Sequence, residues 1–398
     1  MEYLSTPQAA RRLGVKPATL YAYVSRGVLT RHRTPDGRRS RFARADVEAL
    51  ARRGRPRRSS RSTSFDIEIE TAITDADGHH VRYRGHDATA AAGRVCFERV
   101  AELLWTGLLP DRFRPWPGER VEVPDAITGV RARLRMAATL AASSAGIGDR
   151  LDPDLVVDEG RTLIATLVDS LPANPVRRVP ALVLDDGRRL HRTIAGRLWP
   201  ALRPARRSPE LVGAVDVALV LLADHEMAAS TLAVRVAASV RSGVSGVIAA
   251  GMGALAGPFH GGASAEARRL LREAVTTSPA RAVEAALDRD GLVPGHGHVL
   301  YREVDPRFVE LMRHLARSGD DPVLDAVGGL GDAVRRRGLP PANVDLALAA
   351  LGEMAGMPDD AGEAIFTVAR TAGWLAHAVE ELAERPVRFR PRATYVGP

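Results

Sequence analysis

The chain has 398 residues, 45% of them hydrophobic and 26% charged, with a formal net charge of +8. That length and balance allow a large core and two or three domains; they exclude a disordered chain, and the single Cys96 excludes a disulfide-stapled miniature. The charge is lopsided, +12 in residues 1–62 and −4 in the remainder, so a polyanion is expected as a partner of the N-terminal segment alone. With one cysteine and no secretory signal at its start, the chain reads as cytoplasmic. The longest uncharged run, Ser242 to Phe259, holds five glycines and a proline, which makes it too broken for a membrane span.

The first predicted elements lie in STPQAARRLGVKPATLYAYVSR (5–26), two short helices around a turn at Gly14. Ser5 or Thr6 is placed to cap the first, with Pro7 at its first position. Pro17 opens the second, where Leu20, Tyr21 and Val24 recur at helical spacing. RHRTPDGRRSRF carries a DG turn, the mark of a short hairpin, and RADVEALARR (44–53) gives a third helix. This order over residues 1–53 resembles the winged helix-turn-helix of MerR and excisionase proteins. In that motif the second helix enters the major groove. The resemblance implies that Thr19, Tyr21 and Tyr23 face bases, and that Arg33, Arg38, Arg39 and Arg41 meet phosphates of double-stranded DNA. The alternative is a module kept for packing or protein contacts. Residues 54–64, GRPRRSSRSTS, read as a basic flexible linker.

From Phe65 to about Arg84 the pattern alternates around a second DG turn, predicting short strands or a hairpin. His79, His80 and His86 lack acidic or cysteine companions at ligand spacing, so no metal site is expected there. From Ala88 onward the pattern is helical nearly throughout, with no phosphate-loop glycine pattern.

The stretch 221–263 reads LLADHEMAASTLAVRVAASVRSGVSGVIAAGMGALAGPFHGGA. It is apolar or small almost everywhere, the composition of helices packed on several sides. Asp224, His225 and Glu226 stand inside it, and buried charges there require partners. Further on, Gly257 and Pro258 stop a helix and a new one is predicted from Ser264, which puts His260 in a glycine-lined bend before a helix N-terminus. Such a position favours a neutral imidazole that donates to a forming oxyanion.

ADHE followed by AST, with GPFHGGA thirty-five residues after the first histidine, resembles the citrate synthase family. PGHGHVLYREVDPR (294–307), NVD (343–345) and ARTAGWLAH (369–377) with RFRPRATYVG (388–397) agree with it in order, as do DGHHVRYRGHD (77–87) and FERVAELLWTGLLP (97–110). The resemblance covers residues 65–398. It implies a mainly α, two-domain helical fold with a short N-terminal β region, the small domain spanning about 262–345 within the large one. It also implies a homodimer with shared active sites.

The implied reaction is condensation of acetyl-CoA with oxaloacetate and hydrolysis of citryl-CoA, with acyl-CoA as substrate, no separate cofactor and no metal. Asp345 would be the base, its apolar flanks raising its pKa. His260 would donate to the thioester oxygen, and His298 would bond and protonate the ketone oxygen. His225, Arg307 and Arg370 match oxaloacetate ligands, and Arg390 one supplied by the partner subunit. Val293, Pro294, Gly295 and Gly297 match a loop that wraps the adenine of CoA, and Arg302 a basic position near its phosphates. Two departures bear on the acyl donor. Leu346, Ala347 and Leu348 replace the family's aromatic-Tyr-Ser run, and Val299 stands where many relatives carry arginine. Propionyl-CoA, giving 2-methylcitrate, is therefore an alternative donor. A regulator that senses metabolites without turnover is the alternative of a different class; the complete set His260, His298 and Asp345 favours the enzyme.

Overall fold

The computed structural model describes residues 3–13, 15, 20, 24, 29–34, 40–52, 68–144, 152–172, 189–202, 204–205, 208–257, 262–391 and 395. The chain divides into two compact units, Met1–Ile69 and Glu70–Pro398.

In the first unit β1 (Tyr3–Ser5) leads into α1 (Thr6–Leu13), and β2 (His32–Arg33) and β3 (Ser40–Ala43) precede α2 (Arg44–Arg52). The sheet is antiparallel in the order β1-β3-β2, with Leu4 opposite Phe42 and Arg33 opposite Ser40. The β2–β3 hairpin is the expected wing. Strand β1 was not anticipated, because three residues are too few to show alternation. α1 begins at Thr6, which moves Pro7 to its second position. The Gln8 Oε1 atom accepts from the Ser5 backbone N–H at 2.9 Å, one half of a capping box. Of the second predicted helix only Leu20 and Val24 are described, both helical. Leu20 is buried with Ala9, Leu29, Phe42, Val47 and Leu50 in a small core.

The second unit opens with an antiparallel sheet of β4 (Thr74–Ala76), β5 (Val81–Tyr83) and β6 (His86–Asp87). Asp77 shapes the DG turn by accepting from the His79 and His80 N–H groups at 3.1 and 2.9 Å. Helices follow: α3 (Ala88–Ala91), α4 (Phe97–Thr106), α5 (Val130–Ser144), α6 (Val156–Asp169), α7 (Ile194–Leu198), α8 (Pro209–Leu222), α9 (Ala229–Ser239) and α10 (Val244–Leu255). Then come α11 (Ala263–Thr276), α12 (Pro279–Asp290), α13 (Pro306–Leu315), α14 (Pro322–Arg336), α15 (Val344–Ala355) and α16 (Ala361–Leu382). Helices α8, α12, α13 and α14 all start with a Ser or Asp cap followed by proline, which satisfies one orphan N–H and presets the first φ. α16 runs through the core and packs on α4, α6, α8, α9 and α10. It and α8 are apolar around most of their circumference, as helices without a wet face must be.

Gly373 lets α16 pass close to the end of α8. A Cβ there would collide with the Ala223 carbonyl and the Asp224 carboxylate, and the Gly373 N–H instead donates to Ala223 O at 3.0 Å. No helix among the described residues is long and apolar enough to cross a membrane.

Candidate active site

The end of α8 builds the first wall. Its last carbonyls have no intrahelical partners. The Tyr83 hydroxyl lies 3.1 Å from Leu221 O and 2.9 Å from Asp224 O, and the Arg370 Nε–H donates to Leu222 O at 3.0 Å. A guanidinium at a helix C-terminus also meets the negative end of the dipole. The chain then turns, so Asp224, His225 and Glu226 lie in a break between α8 and α9 rather than on a helix. Glu226 has φ +46°, a strained value for a side-chain-bearing residue and common at functional sites. The turn aims the His225 ring at Tyr301, with His225 Nε2 2.7 Å from the Tyr301 hydroxyl.

The second wall is the segment 293–307. It is laced to the chain before α15: Gly297 N–H donates to Pro341 O at 2.7 Å, Asn343 N–H to Gly295 O at 2.9 Å, and Asn343 Nδ2 to Gly297 O at 2.8 Å. Gly295 has φ +72°, and a Cβ there would press on Ala267 and Leu346 at 2.9 and 3.0 Å, so only glycine fits. Asn343 also caps α15 by accepting from the Asp345 N–H at 3.0 Å. The lacing therefore ties His298, on one segment, to Asp345, on the other.

Asp305 joins the two elements again. Its Oδ1 accepts from the Arg307 N–H and Nε–H, both at 3.0 Å, and its Oδ2 accepts from Arg307 Nη2 at 2.9 Å and from the Val344 N–H at 3.1 Å. One buried carboxylate thus caps α13, fixes a buried guanidinium and holds the first turn of the Asp345 helix. Burial works against this carboxylate, but Arg307 and the N–H groups bring its pKa below the usual range.

Four side chains crowd together between these walls. The His225 and His298 rings meet edge-on at 5.1 Å, His298 and Tyr301 lie 4.8 Å apart, and the Arg307 guanidinium sits 5.5 Å over the Tyr301 ring. His298 Nδ1 accepts from the Leu300 N–H at 3.1 Å, which leaves the proton of the neutral ring on Nε2. Burial, then the Arg307 charge, bring His298 down to about 4. Burial, then Arg307 and Arg370, push His225 well below its ordinary value. Both histidines are neutral at physiological pH. Burial pushes Asp345 up to about 6, with Arg307 opposing and Asp305 assisting. Arg370 is buried and rests on the Phe366 ring at 4.6 Å; among the described residues no atom accepts from its Nη1 or Nη2.

His225, His298, Arg307, Arg370 and Asp345 thus lie in one neighbourhood. Arg302 and Arg390 are exposed, the latter on the segment after α16. Val293 and Pro294 are buried, and Leu346, Ala347 and Leu348 are packed into α15, whereas Val299 is fully exposed. His260 lies outside the described residues, as do Thr19, Tyr21, Tyr23, Arg38 and Arg39. Arg33 lies in β2, and the Arg41 guanidinium stacks 4.4 Å over the Tyr3 ring. Asp305, Tyr301 and Tyr83 escaped the sequence reading. Asp305 alone left a signal there, since Asp-Pro is a helix start. Among the described residues no group of three or more His, Cys, Asp or Glu is placed to hold a metal.

Two neutral histidines and two buried guanidinia beside a carboxylate of raised pKa form a group that can hold an anion and exchange a proton. The comparisons with known proteins name the family. A model described as "Citrate synthase, C-terminal domain" matches residues 67–392, and one described as "Helix-turn-helix domain" matches residues 3–55. Citrate synthase of Haloferax volcanii is 30% identical over 357 residues, covering 83% of this chain and 93% of that relative. Citrate synthase 2 of Bacillus subtilis is 29% identical, covering 83% and 94%. A ternary complex of Thermoplasma acidophilum citrate synthase with carboxymethyl coenzyme A and oxaloacetate matches with TM-score 0.65 and 25% identity, covering 84% of this chain and 95% of that one. The chain belongs to the citrate synthase family.

Replacing Asp305 by alanine strips Arg307 of its counter-charge and Val344 of its acceptor. Breaking one partner of a buried pair costs about 3–5 kcal/mol. Urea unfolding should show a loss of that order for Asp305→Ala and a smaller one for Asp305→Asn, which keeps an acceptor oxygen. Equal, small losses for both would contradict the clamp.

Proposed function

We propose that the chain condenses acetyl-CoA with oxaloacetate and hydrolyses the resulting citryl-CoA to citrate and CoA. The observation that carries this reading is the Asp305 clamp, which sets a base of raised pKa and a substrate-ready guanidinium beside a histidine with its proton on Nε2. In this reading Asp345 takes a proton from the thioester methyl. The carbanionic carbon attacks the ketone of oxaloacetate, and the His298 Nε2–H is delivered to the ketone oxygen as the carbon–carbon bond forms. Water then cleaves the thioester and releases CoA. Arg307, Arg370 and His225 hold the two carboxylates, since guanidinium forks match them bidentately. His260 is assigned by its motif as donor to the thioester oxygen, and 293–297 with Arg302 as the CoA-binding segment. Segment 262–345 is the small domain, whose closure over oxaloacetate would exclude water. We place the reaction in the cytoplasm, at the first step of the tricarboxylic acid cycle.

The base must be ionised, so activity should fall as the pH drops through the Asp345 pKa of about 6; His298, at about 4, stays neutral through that limb. A free-CoA release assay with oxaloacetate should therefore give kcat/KM an acid limb near 6, with acetyl-CoA preferred to propionyl-CoA. Asp345→Asn should lower kcat by roughly 10²–10⁴-fold or more with oxaloacetate affinity nearly intact. A variant that turns over near the wild-type rate removes Asp345 from the mechanism.

We also propose a homodimer in which the exposed Arg390 completes the site of the other copy. Arg390→Ala and His298→Ala proteins should each be nearly inactive, and mixing them under subunit exchange should restore activity. No recovery after verified exchange would place Arg390 in its own chain's site, or in none.

For the N-terminal unit we propose duplex DNA as the partner. The +12 charge, the helix-turn-helix model and the β2–β3 wing support this reading. Fluorescence anisotropy should show binding that weakens steeply with salt. Arg38→Ser/Arg39→Ser should cut the log–log salt slope by roughly 2 and leave CoA release unchanged. No binding at low salt would make the unit a packing or protein-contact module.

A further inference from the structure

A buried chain of charges runs from the His225 turn to the segment that carries Arg390. His377, on α16, is fully buried, as are Asp224, Arg235 and Glu381. Arg235 Nε and Nη2 donate to His377 Nδ1 at 3.2 and 3.1 Å. Arginine has no acceptor, so His377 keeps its proton on Nε2 and donates it to Asp224 Oδ2 at 3.1 Å. The Thr74 hydroxyl donates to that same oxygen at 2.5 Å. On the other side, Arg235 Nη1 donates to Glu381 Oε2 at 2.9 Å, Nη2 pairs with Glu380, and Arg388 grips both Glu381 oxygens at 2.6 Å. Arg388 stands two residues before Arg390.

A core that needed only stability would do as well or better with apolar side chains in place of these ions. What the charged version supplies is direction. Asp224 immediately precedes His225, and its charge also faces Arg370. We infer that His377 is a positioning residue for substrate binding: through Asp224 it sets the His225 turn and the counter-charge of Arg370, and through Arg235 and Glu381 it ties that turn to the C-terminal segment. The inference rests on the proposed reaction only where turnover is its readout.

The test compares two variants of the 398-residue chain. His377→Gln can accept from Arg235 and donate to Asp224; His377→Phe can do neither. His298 and Asp345 are held separately, by the lacing of 295–297 to 341–343 and by the Asp305 clamp, so His377→Phe should raise the KM for oxaloacetate ~10-fold while kcat changes less than ~3-fold, and His377→Gln should restore the KM. A merely structural histidine would lower Tm in both variants and leave KM alone; that result overturns the inference. ¹⁵N-histidine spectra without substrate give a readout independent of activity. His225 signals should shift in His377→Phe and return in His377→Gln, and unshifted signals in a folded His377→Phe overturn the inference. A wild-type protein without oxaloacetate-dependent turnover whose spectra behave as expected would defeat the proposed reaction and support the positioning role. Should His377→Phe not fold, Thr74→Val, which removes the other bond to Asp224 Oδ2, should raise KM ~3-fold and shift the same signals; a wild-type KM and spectrum there overturn it.

Discussion

The Asp305 carboxylate is the constraint on which the site depends. It is buried, and an ion in that setting is costly unless its charge is opposed and its lone pairs are filled. Four hydrogen bonds from Arg307 and Val344 meet both demands. Their geometry determines three other positions. Arg307 is held with its charge close to both histidines, α13 starts where its cap lies, and α15 starts one residue before Asp345. The same negative charge favours the protonated form of Asp345 while it stabilises Arg307. One residue thereby separates the charges of its neighbours, a permanent cation on one side and a carboxyl of raised pKa on the other.

The histidines follow the same logic by other means. Each is kept neutral by burial and by nearby arginines, and each has one ring nitrogen bonded within the site. His298 has Nδ1 occupied by a backbone N–H, so Nε2 can only donate when the ring is neutral. His225 meets the Tyr301 hydroxyl. Arg370 spends its Nε on the end of α8, and among the described residues no atom accepts from its Nη1 or Nη2. Much of the desolvation of these groups is completed during folding, so their dipoles are already in place.

Much of this was legible in the sequence because the family's motifs are local. ADHE, GHGH, DPR, NVD and the ART of α16 each keep their spacing, and the positions they mark do converge. The helical class was legible from periodicity, and both hairpins from their DG turns. Other features were not. The bond from Val344 to Asp305 spans thirty-nine residues, and no pattern announces it. The DHE triplet sits in an apolar stretch that reads as helix; only Tyr83 and Arg370, distant in sequence, show why the helix ends there. Val293 and Pro294 look like loop residues beside glycines, yet the lacing to 341–343 draws them inside. His377 reads as one polar residue on an apolar helix, and its two partners, Asp224 and Arg235, come from other segments of the chain.

The account turns on Asp345 acting as a base on a carbon acid inside the pocket that Arg307 and Arg370 prepare. The most direct measurement is proton exchange at the methyl group of acetyl-CoA in D₂O, followed by NMR. A 2-hydroxy dicarboxylate takes the place of oxaloacetate, filling the carboxylate sites without offering a ketone to attack. The account predicts deuterium in the methyl group only when protein and dicarboxylate are both present, and its loss in Asp345→Asn. Exchange that proceeds equally well in Asp345→Asn, or that the dicarboxylate does not influence, would contradict it.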